Sequence, residues 1–200
     1  MRLDLGRLLR TAEHDELLRS AVRLARLTFS ASAASVFLYD EDQDRLVFEA
    51  SSGEGEDRLV GMALPAGRGV AGWVFETGET VLLSHVRDDP RFDREFAQGT
   101  GYVPEVLMAA PLELDDRAIG VMEVLDPAVE KFGEMAAVDL FTELATQSAI
   151  ALSLMTAARS LGRQDLTPWH RLEVALSRTG ASPAAVDELL NALSRFVGGT

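Results

Sequence analysis

Two apolar runs, Val106–Leu114 and Ala118–Leu125, flank the short polar corner Asp115-Asp116-Arg117 and constrain this chain more than any other stretch. Valine, leucine and isoleucine on both sides of a tight acidic turn predict a β-hairpin. Neither run alternates apolar with polar residues, so both faces of the hairpin are expected to be covered, as in the middle of a sheet. The rest of the chain must then supply further strands and a layer for each face.

Upstream, residues 13–29 read as a helix with Leu17, Leu18, Ala21, Val22, Ala25 and Phe29 on one stripe. A shorter apolar-periodic piece, Leu3–Leu9, precedes it as a lead-in over 1–12. Ala34–Tyr39 and Leu46–Ser51 read as strands joined by Asp40-Glu-Asp-Gln-Asp. The alternating aspartates resemble the start of a calcium loop, but Arg45 stands where such a loop needs glycine and Ser51 where it needs glutamate. A solvated hairpin turn is the better reading.

Ser52–Asp57 is expected to be a loop and Val60–Leu64 a short strand. Gly67, Gly69 and Gly72 introduce a helix over Val70–Glu76, stopped by Gly78 as a C-cap. Thr80–Val86 is the next strand. Arg87–Tyr102 is polar and irregular, with a helical turn from Pro90 through Phe96. A loop of this length inside a compact domain often serves function.

After the hairpin, a long helix is predicted from Glu134 to about Leu161. It carries two apolar stripes. Val138, Phe141, Ala145, Ala149, Leu152 and Met155 form the first, and Leu140, Leu144, Ala151, Leu154 and Ala158 the second. One stripe can cover a sheet; the other needs the 13–29 helix or a second subunit. Thr167-Pro168 and Ser182-Pro183 are clean helix starts, so 167–179 and 182–196 read as a helical hairpin within a 163–200 extension.

Composition removes several function classes. The net charge of −13 opposes non-specific nucleic-acid binding and repels anionic membranes. The chain has no cysteine, which removes disulfides, thiolate metal sites and cysteine nucleophiles. His14, His85 and His170 make no ligand pattern. The uncharged run Leu144–Ala158 falls short of the ~20 residues a bilayer requires, and the N-terminus lacks an apolar signal core, so a soluble cytoplasmic chain is expected.

The order and the local wording resemble a GAF domain. The matching residues are Ala34–Asp40, Gly67–Gly78, Val86–Phe92 and Ala109–Leu125, within a domain over 13–162. The resemblance implies an α+β, profilin-like fold with a central six-stranded antiparallel sheet. Terminal helices would occupy one face and a lidded small-molecule pocket the other. It further implies a sensory or regulatory domain, signalling as a homodimer through helices 13–29 and 134–161, toward an effector protein. Cyclic-nucleotide GAF domains are expected to carry an Asn-Lys pair where this chain has Asp126-Pro127, and an acidic pair where it has Ala136-Ala137. Bilin-attaching and methionine-sulfoxide-reducing members depend on cysteine; haem members need a histidine over the pocket, and His85, at the end of a strand, reads instead as a surface or capping residue. No cofactor is assigned.

Candidate pocket residues are Trp73, Phe75, Phe92, Tyr102, Met108 and Glu123. Glu49 and Glu123 interrupt apolar strands, and a buried carboxylate must be paired or line a polar cavity. For Glu123 the alternative is an outward side chain or an ion pair with an arginine. Gly67-Arg-Gly-Val-Ala-Gly72 is formally G-x-G-x-x-G, but the following helix is too short to cross between parallel strands. Ser84 and His85 are neighbours on a strand and point to opposite faces, so they make no triad with Asp88. Two other readings stand beside the sensor: an interaction module with a collapsed pocket, and an enzyme using acidic groups such as Glu123 and Asp89.

Overall fold

The structure is a computed structural model that describes residues 12–54 and 56–164. The Leu3–Leu9 lead-in and the 167–196 helical hairpin lie outside the described residues. The chain divides into two compact units, Met1–Thr156 and Ala157–Thr200, and the sheet lies in the first.

Its elements are α1 (Ala12–Thr28), β1 (Ala33–Asp40), β2 (Arg45–Gly53), α2 (Glu56–Leu59), β3 (Ala63–Pro65), α3 (Gly69–Thr77) and β4 (Val81–Leu83). A 3-10 turn at Val86–Asp88, then α4 (Arg94–Thr100), β5 (Leu107–Leu114), β6 (Arg117–Leu125) and α5 (Glu134–Gln164) follow. The six strands form one sheet in the order β3-β2-β1-β6-β5-β4, with every neighbour antiparallel. β5 and β6 are interior strands, as their double-sided apolarity requires, and the two edges are three-residue strands too short to recruit another sheet.

Strand alternation separates two cores. Val36, Leu38, Met108, Ala110, Leu112, Met122 and Val124 face α1 and α5, against Leu18, Val22, Phe29, Phe141, Ala145 and Leu152. Phe37, Phe48, Leu107, Ala109 and Val121 face the opposite way, under Val70, Ala71 and Val74 of α3. The glycine-led helix thus roofs one side of the sheet and the long helices occupy the other.

The hairpin turn is tighter than the three-residue corner read from the sequence. Leu114 pairs with Arg117, leaving Asp115 and Asp116 as the two central residues, with φ of 50° and 59°. Positive φ at both is the type I′ turn, whose twist matches that of the flanking strands. Other boundaries shift as well. The expected loop around Asp57 contains α2, β3 begins at Ala63 rather than Val60, and the strand expected over Thr80–Val86 ends at Leu83. The helical turn expected from Pro90 is α4, starting at Arg94. The reason is its cap: Asp93 accepts a hydrogen bond from the Phe96 amide at 2.9 Å.

On α5 Phe141, Ala145, Ala149 and Leu152 of the first stripe are buried against the sheet, with Val138 half-buried beside them. Of the second stripe, Leu144 packs at the edge of that core, while Leu140 is 41% and Leu154 64% exposed; Leu24 and Leu27 of α1 are exposed as well.

Candidate functional site

The register of the sheet lays a polar row under α3. Ser51 of β2 pairs with Ser35 of β1, Ser35 with Glu123 of β6, and Glu123 with Ala109 of β5. Neighbouring strands lie about 4.8 Å apart, so two hydroxyls and a carboxylate stand in line over roughly 10 Å. All three are buried.

A bulge makes this row compatible with an aromatic wall. Val36 pairs with Ala50 but Phe37 pairs with Phe48, so Glu49 is an extra residue in β2. Without it, Phe48 and Ser51, three residues apart, would point to opposite faces; with it both face α3. Phe37 and Phe48 then meet with ring centroids 4.0 Å apart, and Phe96 of α4 stacks on Phe48 at 6.1 Å.

Together these groups enclose a cavity of about 80 Å³ between the β1–β2–β6 floor, the N-terminus of α3 and the inner side of α4. The walls are predominantly apolar. Glu123 and Asp93 are the carboxylates on them, and no histidine, lysine or arginine is among the described lining residues. Asp93 is neutralised from outside: it ion-pairs with Arg68, the residue that precedes α3. Glu123 is 8% exposed, and no described residue donates a hydrogen bond to it. Withdrawal from water pushes its carboxyl pKa up to about 7.

The roof is held by backbone contact. A Cβ on Gly72 would lie 2.5 Å from the carbonyl carbon of Gly67, so only glycine lets α3 fold back over its own entry segment. The far end of the cavity is held by Tyr102. Its hydroxyl donates to Asp126 Oδ2, while Asp126 Oδ1 accepts the amides of Glu105 and Val106, both at 2.8 Å. Burial, then this hydrogen bond, raises the Tyr102 pKa above that of a free phenol.

Of the residues singled out from sequence, Phe92, Tyr102 and Glu123 line the cavity. Three do not. Met108 is fully buried in the other core, because β5 alternation sends its neighbours Leu107 and Ala109 toward α3 instead. Trp73 lies away from the cavity with the Arg91 guanidinium 4.3 Å over its ring, and Arg91 is held by Asp89 at 2.7 and 2.8 Å. That pairing lowers the Asp89 pKa, and it employs the aspartate considered for catalysis. Phe75 packs against Tyr39, with ring centroids 4.6 Å apart and the planes tilted by 34°. Glu49, the other strand carboxylate, is the bulge residue and does not line the cavity. His85 has a side chain 76% exposed, 3.8 Å from Glu105. Sequence reasoning missed Ser35, Ser51, Phe37, Phe48, Asp93 and Phe96. Ser35 carried a signal, a hydroxyl two residues before Phe37 in an otherwise apolar strand.

Residues 11–153, which build this sheet with helices behind and a lidded cavity in front, match the family model described as "GAF domain". The chain belongs to the GAF domain family. Among curated relatives of this GAF domain, it is 25% identical over 121 residues to a probable 3',5'-cyclic phosphodiesterase of Caenorhabditis elegans. That alignment takes in 56% of this chain but only 17% of the relative, so the chain spans a small part of the protein it matches. Among solved structures, the GAF domain of a phosphoenolpyruvate-protein phosphotransferase from Coxiella burnetii superimposes with a TM-score of 0.63 at 20% identity. It covers 80% of this chain and 97% of that one. A free methionine-R-sulfoxide reductase from Neisseria meningitidis, solved with its substrate, has a TM-score of 0.59 at 22% identity, covering 78% and 86%. At these identities the likeness is one of fold. Among the described residues, no group of three or more metal-ligating side chains is assembled, and no helix is long and apolar enough to cross a membrane.

Proposed function

We propose that this GAF domain is a non-catalytic sensory or regulatory module that takes a small molecule into the cavity over Glu123. It acts in the cytoplasm as a homodimer and passes occupancy to an effector through α1 and α5. The observation that carries the reading is a buried carboxyl, on the floor of an apolar cavity, to which no described residue donates a hydrogen bond. Such a group destabilises an empty domain, and a ligand that satisfies it offsets that cost.

The cavity argues against a nucleotide. Drug-sized ligands occupy pockets of roughly 300 Å³ or more, against about 80 Å³ here, and no described lining side chain is a cation for a phosphate. Asp126, where a cyclic-nucleotide domain would carry asparagine, is committed to Tyr102 and the 105–106 backbone.

Transmission has a physical route. Glu123 faces the cavity while its neighbours Met122 and Val124 pack on the α1 and α5 side. A small movement of β6 on ligand binding is therefore felt by Phe141 and Ala145 of α5, in a close-packed core. The exposed Leu24, Leu27, Leu140 and Leu154 supply the apolar surface for a second subunit.

Two measurements test the reading. In a thermal-shift screen of small molecules, at least one compound should stabilise the chain, and Glu123→Gln should change its effect. Silence across the screen would leave only an interaction module. Sedimentation at micromolar concentration should give a dimer that Leu140→Glu with Leu154→Glu dissociates; a monomeric parent chain removes the dimer from the proposal.

A further inference from the structure

The groups on the cavity wall also restrict what its occupant is. The described walls bear no basic side chain, and of their two carboxylates one is already compensated, Asp93 by Arg68. Glu123 is the uncompensated one, more than nine-tenths buried and set in the floor. Its register neighbour on β1 is Ser35, with Ser51 beyond, and on β5 it faces only Ala109. The rest of the wall near it is aromatic and aliphatic: Phe37, Phe48, Phe96 and Leu125. A molecule that complements this arrangement has an apolar body and a positively charged or strongly donating nitrogen at one end. An anionic occupant would meet a second carboxylate with nothing to neutralise it. The volume sets the size: about 80 Å³ is roughly half of the ~150 Å³ in which an engineered apolar cavity holds benzene.

Resting on the sensory reading above, we propose that the cavity receives a compact organic cation, a small aliphatic amine, whose N–H groups are taken by Glu123 with the Ser35 hydroxyl beside it. The aromatic wall holds the apolar body, and the carboxylate fixes the end that carries charge. The two other titratable groups on the wall are Asp93, paired with Arg68, and Tyr102, bonded to Asp126. Neither is available as a counter-charge, so the preference rests on Glu123.

The test is a charge series at constant shape on the full chain. Isobutylamine, isobutanol and isobutyrate are titrated at pH 8 by calorimetry and by ligand-detected NMR. The amine should bind at least about tenfold tighter than either of the others, the scale expected of a charge-assisted hydrogen bond in a dry site. Its affinity should fall by about tenfold per pH unit as the carboxyl takes up its proton below pH 7. Glu123→Gln should abolish both the preference and the pH dependence, and Ser35→Ala should weaken the amine while keeping the order of the series. The comparison among the three compounds on the parent chain stands even where a variant does not fold. Equal or tighter binding of isobutyrate or isobutanol overturns the cationic class while a ligand-binding cavity remains. Silence of all three overturns the cationic class on its own. If the broad thermal-shift screen is silent too, the sensory reading falls with it.

Discussion

Arg68 and Asp93, the residues that precede α3 and α4, form an ion pair that ties the starts of the two lid helices together. Asp93 also accepts the Phe96 amide, so one carboxylate both caps α4 and holds it to α3. Removing the carboxylate costs more than removing the guanidinium. Asp93→Ala is expected to lose about 1–2 kcal/mol, as for a helix N-cap, and Arg68→Ala under about 1 kcal/mol, because Arg68 is nearly half exposed. Hydrogen exchange at Phe96 and Ala97 should accelerate more than at β1 in the Asp93 variant. Equal acceleration throughout would mean that the pair acts on global stability instead of on the lid.

Glu123 makes stability depend on pH. Its folded pKa of about 7 lies above the ordinary 4.5, so the folded state holds the proton more tightly than the unfolded state. The contribution is fully present below about pH 4.5 and is lost as pH rises through 7. The gap between those values corresponds to about 3 kcal/mol as an upper limit. Urea denaturation of the parent chain and of Glu123→Gln should show the parent losing stability relative to the variant between about pH 4.5 and 7, with little further change above that range. Parallel curves would place Glu123 in water or beside a cation.

The hairpin turn offers a stabilising change. Asp116, at φ 59°, sits where a type I′ turn prefers glycine, next to a second aspartate. Asp116→Gly is expected to add about 0.5–1 kcal/mol by removing the left-handed cost of an L-residue. In a domain of this size that raises Tm by a few degrees, measurable by calorimetry. No gain would mean that the aspartate side chains stabilise the turn themselves.

Tyr102 and Asp126 close the far end of the cavity. Tyr102→Phe removes a hydrogen bond to a carboxylate and should cost about 1.5–3 kcal/mol. Asp126→Ala additionally strands the Glu105 and Val106 amides and should cost more. Spectrophotometric titration should find Tyr102 and Tyr39 ionising above the pKa of a free phenol. The causes are burial for Tyr102 and the hydrogen bond to Asp44 for Tyr39. A phenol that titrates normally would break that assignment.

Much of the fold was legible because repetition along the chain reports which face is buried. The first stripe of α5, from Val138 through Met155, predicted a helix covering a sheet, and of its residues Phe141, Ala145, Ala149 and Leu152 are buried there. Gly78, predicted as the C-cap of α3, adopts φ 71° and returns its amide to Val74. Short elements were less legible. Four residues of α2 and three each of β3 and β4 carry too few periods to reveal themselves, and their positions follow from what they pack against.

By itself the sequence determined the interior hairpin, a long helix able to cover a sheet, and Glu123 as a carboxylate needing explanation. Each follows from local composition and period, which the chain carries whatever its neighbours do, whereas the opposite placement of the glycine-led and long helices was implied by the resemblance to GAF domains. Only the tertiary structure decided which residues share the cavity. One bulge at Glu49 reverses the phase of β2 and brings Phe48 and Ser51 to the same side, and no local pattern announces it. Met108 and Leu107 are both apolar, yet the pleat sends one to each core. Trp73 is held beneath Arg91, and Ser35 stands opposite Glu123, because of strand register and loop path. A binding site is a juxtaposition of residues distant in sequence, and it exists only once the chain has closed on itself.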